Sequence, residues 1–136
     1  MYDHKQGLSP QLRECLNQIA AGLSGDMKFN VLTADVTPAP TSAAWNYIIK
    51  FEITDSNGNR LEFFDGDVTA TVGDTSTAGT ASVDDATPAM INGLGTVVLS
   101  GDAQDWLDTE TATVEFSKTL NGNTVTAATF TVTFTA

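Results

Sequence analysis

Few side chains of this sequence could carry out covalent chemistry. It has one histidine, His4, and one cysteine, Cys15, both close to the first residue. A Ser-His-Asp or Cys-His mechanism would have to use His4, which lies in a polar stretch without periodicity. Cys15 falls at an apolar helical spacing and is interpreted as a packed thiol. We therefore predict that the protein is not an enzyme, with no catalytic residue and no cofactor.

The loops between apolar stretches are rich in carboxylates, which raises two alternatives. Paired carboxylates can act as acid and base on a sugar, and the candidates are Asp65 with Asp67, Asp84 with Asp85, and Asp102, Asp105 and Asp108. Carboxylates on loops are usually solvated turn formers. The stretch Asp55-Ser-Asn-Gly-Asn59 resembles the beginning of a calcium loop but lacks the distal bidentate Glu. We predict a turn and no metal site, and calcium binding remains the alternative.

The charge balance restricts the kinds of partner. There are 17 acidic and 6 basic residues, giving a net charge of -11. Such a surface repels phosphate backbones and anionic lipids, so we expect neither nucleic acid nor membrane as a partner. Solubility explains the acidity better than a basic partner does. The polar first residues do not form a signal peptide, so we expect synthesis in the cytoplasm without an obvious export route.

A single amphipathic helix is predicted before the main body. Ser9-Pro10 supplies an N-cap and a first helical residue, and the helix ends near Gly22–Gly25. Within the helix, apolar residues recur at three-four spacing and form one apolar stripe. The residues of this stripe are the candidate partner-binding residues Leu12, Cys15, Leu16, Ile19 and Leu23. The stripe either packs on its own domain or binds another chain. We assign residues 1–25 to attachment or oligomerisation.

From residue 26 onward the pattern is that of β-structure. Asn46–Thr54 alternates with period two, and the Asp55–Asn59 turn predicts a hairpin with a second strand at Arg60–Phe64. Turn signals recur about every 8–12 residues, which indicates about seven or eight short strands and a two-sheet sandwich over residues 26–136. In the last strand the apolar phase changes between Ala127 and Phe130, which predicts a β-bulge. Met27–Val36 is predicted as the first strand, with Thr37–Ser42 crossing between sheets.

Several turn motifs recur in the body, at Thr54–Asn59, Phe63–Gly66, Ala78–Ser82, Thr87-Pro88, Asn92–Val97 and Gly101–Trp106 followed by Asp108–Ala112. Together they resemble a family of immunoglobulin-like domains found in tailed-phage head fibre and capsid decoration proteins. In the family the last of these motifs contains a Gly-Asp step, which Leu107–Glu110 replaces here. The resemblance covers about residues 46–116 and implies an all-β, immunoglobulin-like β-sandwich, here preceded by one short helix.

The resemblance also implies a role on the virion. The expected function is that of a capsid decoration or head fibre protein on the outer head shell, assembled in the host cytoplasm. Its partner would be the major capsid protein or another virion protein, and possibly a second copy of itself. The alternatives are a tail or baseplate appendage, and a calcium- or carbohydrate-binding adhesin module. Gly73–Gly79 and Asp102–Asp108 are the candidate exposed loops.

Overall fold

The computed structural model describes residues 27–120 and 122–136, and this part of the chain is all-β. Its strands are β1 (Lys28–Val31), β2 (Trp45–Thr54), β3 (Gly66–Asp67), β4 (Thr69–Asp74), β5 (Ala81–Val83), β6 (Ala89–Met90), β7 (Leu94–Gly101), β8 (Thr111–Leu120) and β9 (Asn123–Thr133). The predicted helix, His4 and Cys15 lie outside the described residues.

Seven of the strands form one mixed sheet that curls until it is nearly a barrel. Its order is β4-β8-β9-β1-β2-β7-β5, and β3 pairs separately with β6. The neighbours are antiparallel except β1 and β9, which join through the single parallel pair Lys28–Thr126. The edge strands β4 and β5 approach each other, and the Ala81 N–H donates to Asp74 Oδ2 at 3.0 Å. The weak β1–β9 join separates a β1-β2-β7-β5 group from a β4-β8-β9 group.

Strand β2 is the centre of the first group, but its predicted hairpin with Arg60–Phe64 is wrong. The alternation of β2 was read correctly, because Ile49, Phe51 and Ile53 are fully buried. However, β1 pairs with one edge of β2 and β7 with the other. Only the end of β2 beyond Glu52 remains unpaired by β7, so the returning chain makes the Thr54–Arg60 bridge and a hydrogen bond from the Leu61 N–H to the Ile53 carbonyl instead of a full strand.

The last two strands form a hairpin that contains the predicted bulge. Phe116 lies opposite Ala128, whereas Lys118 lies opposite Val125. Two residues of β9 therefore stand against one of β8, and the phase of the side chains changes at this point. This confirms the β-bulge that the change of apolar phase predicts.

The core lies between the two groups and is rich in aromatic rings. The rings of Phe51 on β2 and Phe116 on β8 stack across it, with centroids 3.8 Å apart and an interplanar angle of 15°. At one end Trp106 is fully buried and packs on Phe134 and on the partly buried Trp45. A Cβ at Gly79 would lie 2.4 Å from the Trp106 ring, so the tryptophan sits directly on that backbone.

The connections agree with the sequence in part. Val36 bridges in parallel to Val132 of β9 and Thr41 bridges to Trp106, so the chain reaches the second group by Val36 and the proline-containing segment crosses back from it to β2, which confirms a crossing between sheets over Thr37–Ser42. Just before β7, Met90 at the end of β6 is buried, whereas Ile91 is 66% exposed. Asn92 and Gly93 both have positive φ in this tight turn, and Ile91 therefore projects outward beside it.

Candidate functional site

The acidic side chains of the loops act mainly as acceptors for backbone N–H groups. Aspartates hold amides that no strand partner satisfies, at distances between 2.8 and 3.0 Å. The residues used in this way are Asp35, Asp65, Asp74, Asp84, Asp85, Asp102 and Asp108. Each bond satisfies a backbone donor. The carboxylates considered for acid-base chemistry thus include many that fasten the scaffold.

Glu110 is the most highly connected of these acids. Its Oε1 accepts from the Leu107 N–H at 2.7 Å, and its Oε2 accepts from the Thr77 N–H at 2.9 Å. The Ser76 and Thr77 hydroxyls donate to it as well. These donors, the Leu107 amide first, lower the pKa of Glu110 from its usual value although burial opposes them. Glu110 therefore joins the two loops that the sequence marked as exposed binding candidates, and it fixes them to each other.

Asp55 organises the turn that the sequence offered as a possible calcium loop. Its Oδ1 accepts from the Asn57 and Asn59 amides at 2.9 and 3.0 Å, and Gly58 has φ +87°. The Asn59 amide is the main cause that lowers the pKa of Asp55. Across residues 27–120 and 122–136, no group of three or more His, Cys, Asp or Glu side chains is placed to hold a metal ion.

The predicted partner-binding residues cannot be located in the fold. Leu12, Cys15, Leu16, Ile19 and Leu23 all precede Met27 and lie outside the described residues. The chain enters the fold at Met27, which is 4% exposed and accepts a hydrogen bond from the Thr126 amide. The segment that carries the stripe is therefore attached beside the first residue of β1, at the opposite end from Trp106 and the last residue, Ala136.

The two outer faces of the sheet differ sharply. On the β4-β8-β9 group the outward positions form what we call the threonine face, made of Thr69, Thr71, Thr111, Thr113, Glu115, Ser117, Thr129, Thr131 and Thr133. On the β1-β2-β7 group the outward positions include an apolar set, which we call the apolar face, made of Leu32, Ile48, Leu94 and Val98. Ile48 is 60% and Leu32 46% exposed.

The apolar face was missed in the sequence although a signal for it exists. Three neighbouring strands each carry two adjacent apolar residues where one is expected: Val31-Leu32, Ile48-Ile49 and Val97-Val98. A strand places consecutive side chains on opposite faces, so one residue of each pair must point away from the core; these are Leu32, Ile48 and Val98. Ile48 and Val98 are direct cross-strand partners, and Leu32 lies beside Lys50, diagonal to Ile48.

A shallow groove lies at the bulge on the other side of the molecule. It has a volume of about 450 Å³ and is lined by Thr69, Ser117, Lys118, Thr119, Thr124, Val125, Thr126 and Ala127. The lining is rich in hydroxyl groups and contains no aromatic side chain. It therefore lacks the stacking platform that a carbohydrate site of the adhesin type would offer.

Comparison with known proteins gives little to transfer. No protein-family model matches the chain, and no curated protein matches it. Among solved structures the chain resembles the secreted serine protease VesC from Vibrio cholerae, with a TM-score of 0.46 and 12% identity. The alignment covers 90% of this chain but 25% of the protease chain. In the described residues we find no helix long and apolar enough to cross a membrane.

The comparison corrects one prediction from the sequence. We predicted that the protein is not an enzyme, and the likeness to a serine protease contradicts that prediction, which is withdrawn. At this TM-score and identity we assign neither the fold nor the activity of the protease to this chain. The residue that a Ser-His-Asp mechanism would require, His4, lies outside the described residues.

Proposed function

We propose that the chain is a phage virion structural protein, a capsid decoration or head fibre protein in which residues 1–25 attach an immunoglobulin-like body to the outer head shell. The observation that carries the proposal is the strand order. With the two-residue strands β3 and β6 set aside, the groups β1-β2-β7-β5 and β4-β8-β9 correspond to the A-B-E-D and C-F-G sheets of a constant-type immunoglobulin domain.

The crossing segment after β1 supports the same assignment. Strand β1 pairs antiparallel with β2 in the first group, and then Val36 bridges in parallel to Val132 of β9 in the second. The first part of the body therefore contacts both groups and ties them together. Fold alone does not define function, so the virion role rests on the turn motifs of residues 46–116 together with this order.

The placement of the two chain ends fits attachment through the N-terminal segment. The body is entered at Met27, beside the Lys28–Thr54 pair, and the chain finishes at Ala136, whose amide donates to Asp108 at the opposite end. The core of the described residues contains Ile49, Phe116 and Phe130 at 0% exposure. A body with such a core does not need the stripe of residues 10–23 to complete it, and a segment that attaches at the Met27 end directs the opposite end of the body away from the shell.

The test is binding of the whole chain to heads that lack it. Capsids assembled without the protein are mixed with wild type, with Leu16→Asp and with the control Asn17→Asp, and bound protein is measured after sedimentation. A buried leucine is worth about 1.5–3 kcal/mol, so Leu16→Asp should weaken binding at least about tenfold. Asn17→Asp adds the same charge on the opposite side of the predicted helix and should bind like wild type.

Other results would move the assignment elsewhere. Binding to isolated tails or baseplates but not to heads would contradict the head location and favour a tail appendage. A calcium-dependent rise in melting temperature, without binding to any virion part, would favour the adhesin alternative, because a ligand of the native state stabilises it. Equal binding of Leu16→Asp and wild type would remove the stripe from the attachment site.

A further inference from the structure

The apolar face brings exposed apolar side chains of neighbouring strands to one outer side of the sheet. Ile48 and Leu32 are among the most exposed large apolar side chains of the described residues. Val98, directly opposite Ile48, is half-buried, and the Leu32 amide donates to the Lys50 carbonyl on β2. The equivalent positions of the threonine face carry hydroxyl groups and one carboxylate. Contiguous exposed apolar side chains of this kind mark a surface that binds something.

We propose that residues 10–23 of the same chain dock on the apolar face, with the stripe of the predicted helix packed against Ile48, Leu32 and Val98. This inference goes beyond the proposed function because it concerns the free protein; binding of the stripe to a shell would displace it from the apolar face. The occupant is this chain's own segment because of where that segment is tied. It joins the body at Met27. The next residue, Lys28, begins β1, and β1 lies along one side of the apolar face.

The distances allow the docking. Residues 24–26 separate the stripe from Met27, and an extended chain of that length spans roughly 10–14 Å. The face rises along β2 from Glu52, opposite Leu94, to Ile48, which is about 13 Å at 3.3 Å per residue. A helix over residues 10–23 is about 21 Å long. Folded back over the sheet, it covers the face with about 8 Å to spare in total, about one and a half turns.

The short tether between the stripe and Met27 favours this arrangement in two ways. Gly22 and Gly25 flank the reversal, and glycine adopts the backbone conformations that a tight reversal needs. A tether of three residues gives the stripe an effective concentration in the range of about 1 mM or more at the face. A second copy of the chain at micromolar concentration competes poorly with that. In the free protein the apolar stripe and the apolar face then cover each other.

The native reporter of this docking is Cys15, the one cysteine of the sequence, which belongs to the stripe. Its reaction rate with N-ethylmaleimide is measured in the whole folded chain and in urea. Because a thiol reacts according to its exposure and thiolate fraction, docking should slow the reaction at least about tenfold relative to the unfolded chain. Ile48→Asp should restore most of that loss, whereas Thr71→Asp on the threonine face should leave the slow rate unchanged.

The outcomes separate the possible occupants. Ile48 is 60% exposed on the body, so Ile48→Asp should leave the body folded, with a cooperative urea transition that is checked on the same samples. A slow rate that is equal at about 1 and about 100 μM protein supports docking within one chain. A slow rate that is lost on dilution assigns the face to a second copy and overturns the proposal. A fast rate in wild type, or an Ile48→Asp rate equal to wild type, also overturns it.

Discussion

Gly95→Ala should destabilise the protein through a single clash in the centre of the core. Gly95 is buried on β7 directly opposite Phe51 of β2, and an added Cβ would lie 2.5 Å from Phe51 Cζ. The ring cannot move away freely, because Phe116 stacks on it with centroids 3.8 Å apart. Overpacking of this type costs about 1–3 kcal/mol. Replacing a strand glycine returns about 0.5–1 kcal/mol, so the net loss should lie between about 0 and 2.5 kcal/mol, with a midpoint of about 1 kcal/mol.

The measurement is urea unfolding followed by tryptophan fluorescence, with equal m values as a condition for comparing midpoints. Gly66→Ala is the matched control, because its Cβ would lie at 3.5 Å from Phe64, an ordinary contact. It should be neutral or slightly stabilising. Phe51→Leu replaces the ring with a shorter side chain. Gly95→Ala should therefore cost less stability in the Phe51→Leu background than in wild type. If Gly95→Ala is as stable as Gly66→Ala, the packing argument is wrong.

Three further predictions concern the loops and the surface. Glu110→Gln should lower the free energy of unfolding near pH 7. The pKa of Glu110 in the folded protein is lowered from the usual 4.5, so the stabilisation by its carboxylate is present above the unfolded pKa and is lost as the pH falls through the folded pKa. In urea titrations the difference between variant and wild type should therefore shrink towards pH 3. A constant difference would contradict this. Gly58 has φ +87° and open space around an added Cβ, so Gly58→Ala should cost about 1 kcal/mol of stability from backbone strain alone. Gly93 has φ +76°, and its added Cβ would also lie 2.5 Å from the Leu61 carbonyl oxygen. Gly93→Ala should therefore cost clearly more than Gly58→Ala in the same titration. Arg60→Ala should change stability by less than about 1 kcal/mol, because its 3.0 Å ion pair is partly exposed, and a larger thermal shift would show that the pair acts through more than charge.

The parts of the fold that sequence reasoning predicts well are those in which local pattern and tertiary context agree. The alternation of β2 is visible because one face is buried, and the bulge in β9 is visible because the apolar phase changes within one strand. The Arg60–Phe64 strand fails for a non-local reason. Its pattern is acceptable, but β1 and β7 already occupy both edges of β2, and no local pattern reports which edges are taken.

The candidate site shows the same division between local and non-local information. Ile48, Leu32 and Val98 are each visible as the outward member of an apolar pair, yet they form a surface only once the strand order places β1, β2 and β7 side by side. The role of Glu110 has no local signal at all. It joins Leu107, three residues away, to Thr77, which lies 33 residues earlier.

The acidity of the chain has a structural cause that changes its meaning for binding. A carboxylate that accepts backbone N–H groups is tied to the scaffold, as Asp55 and Glu110 are, and its charge is partly compensated by those donors. The net charge of -11 is therefore weak support for a cationic partner. Recognition by such a body has to come from surfaces whose side chains are not committed in this way. Among the described residues the apolar face is the clearest of these surfaces. Whether the N-terminal stripe docks on it therefore decides whether the free protein exposes an apolar binding surface or covers it.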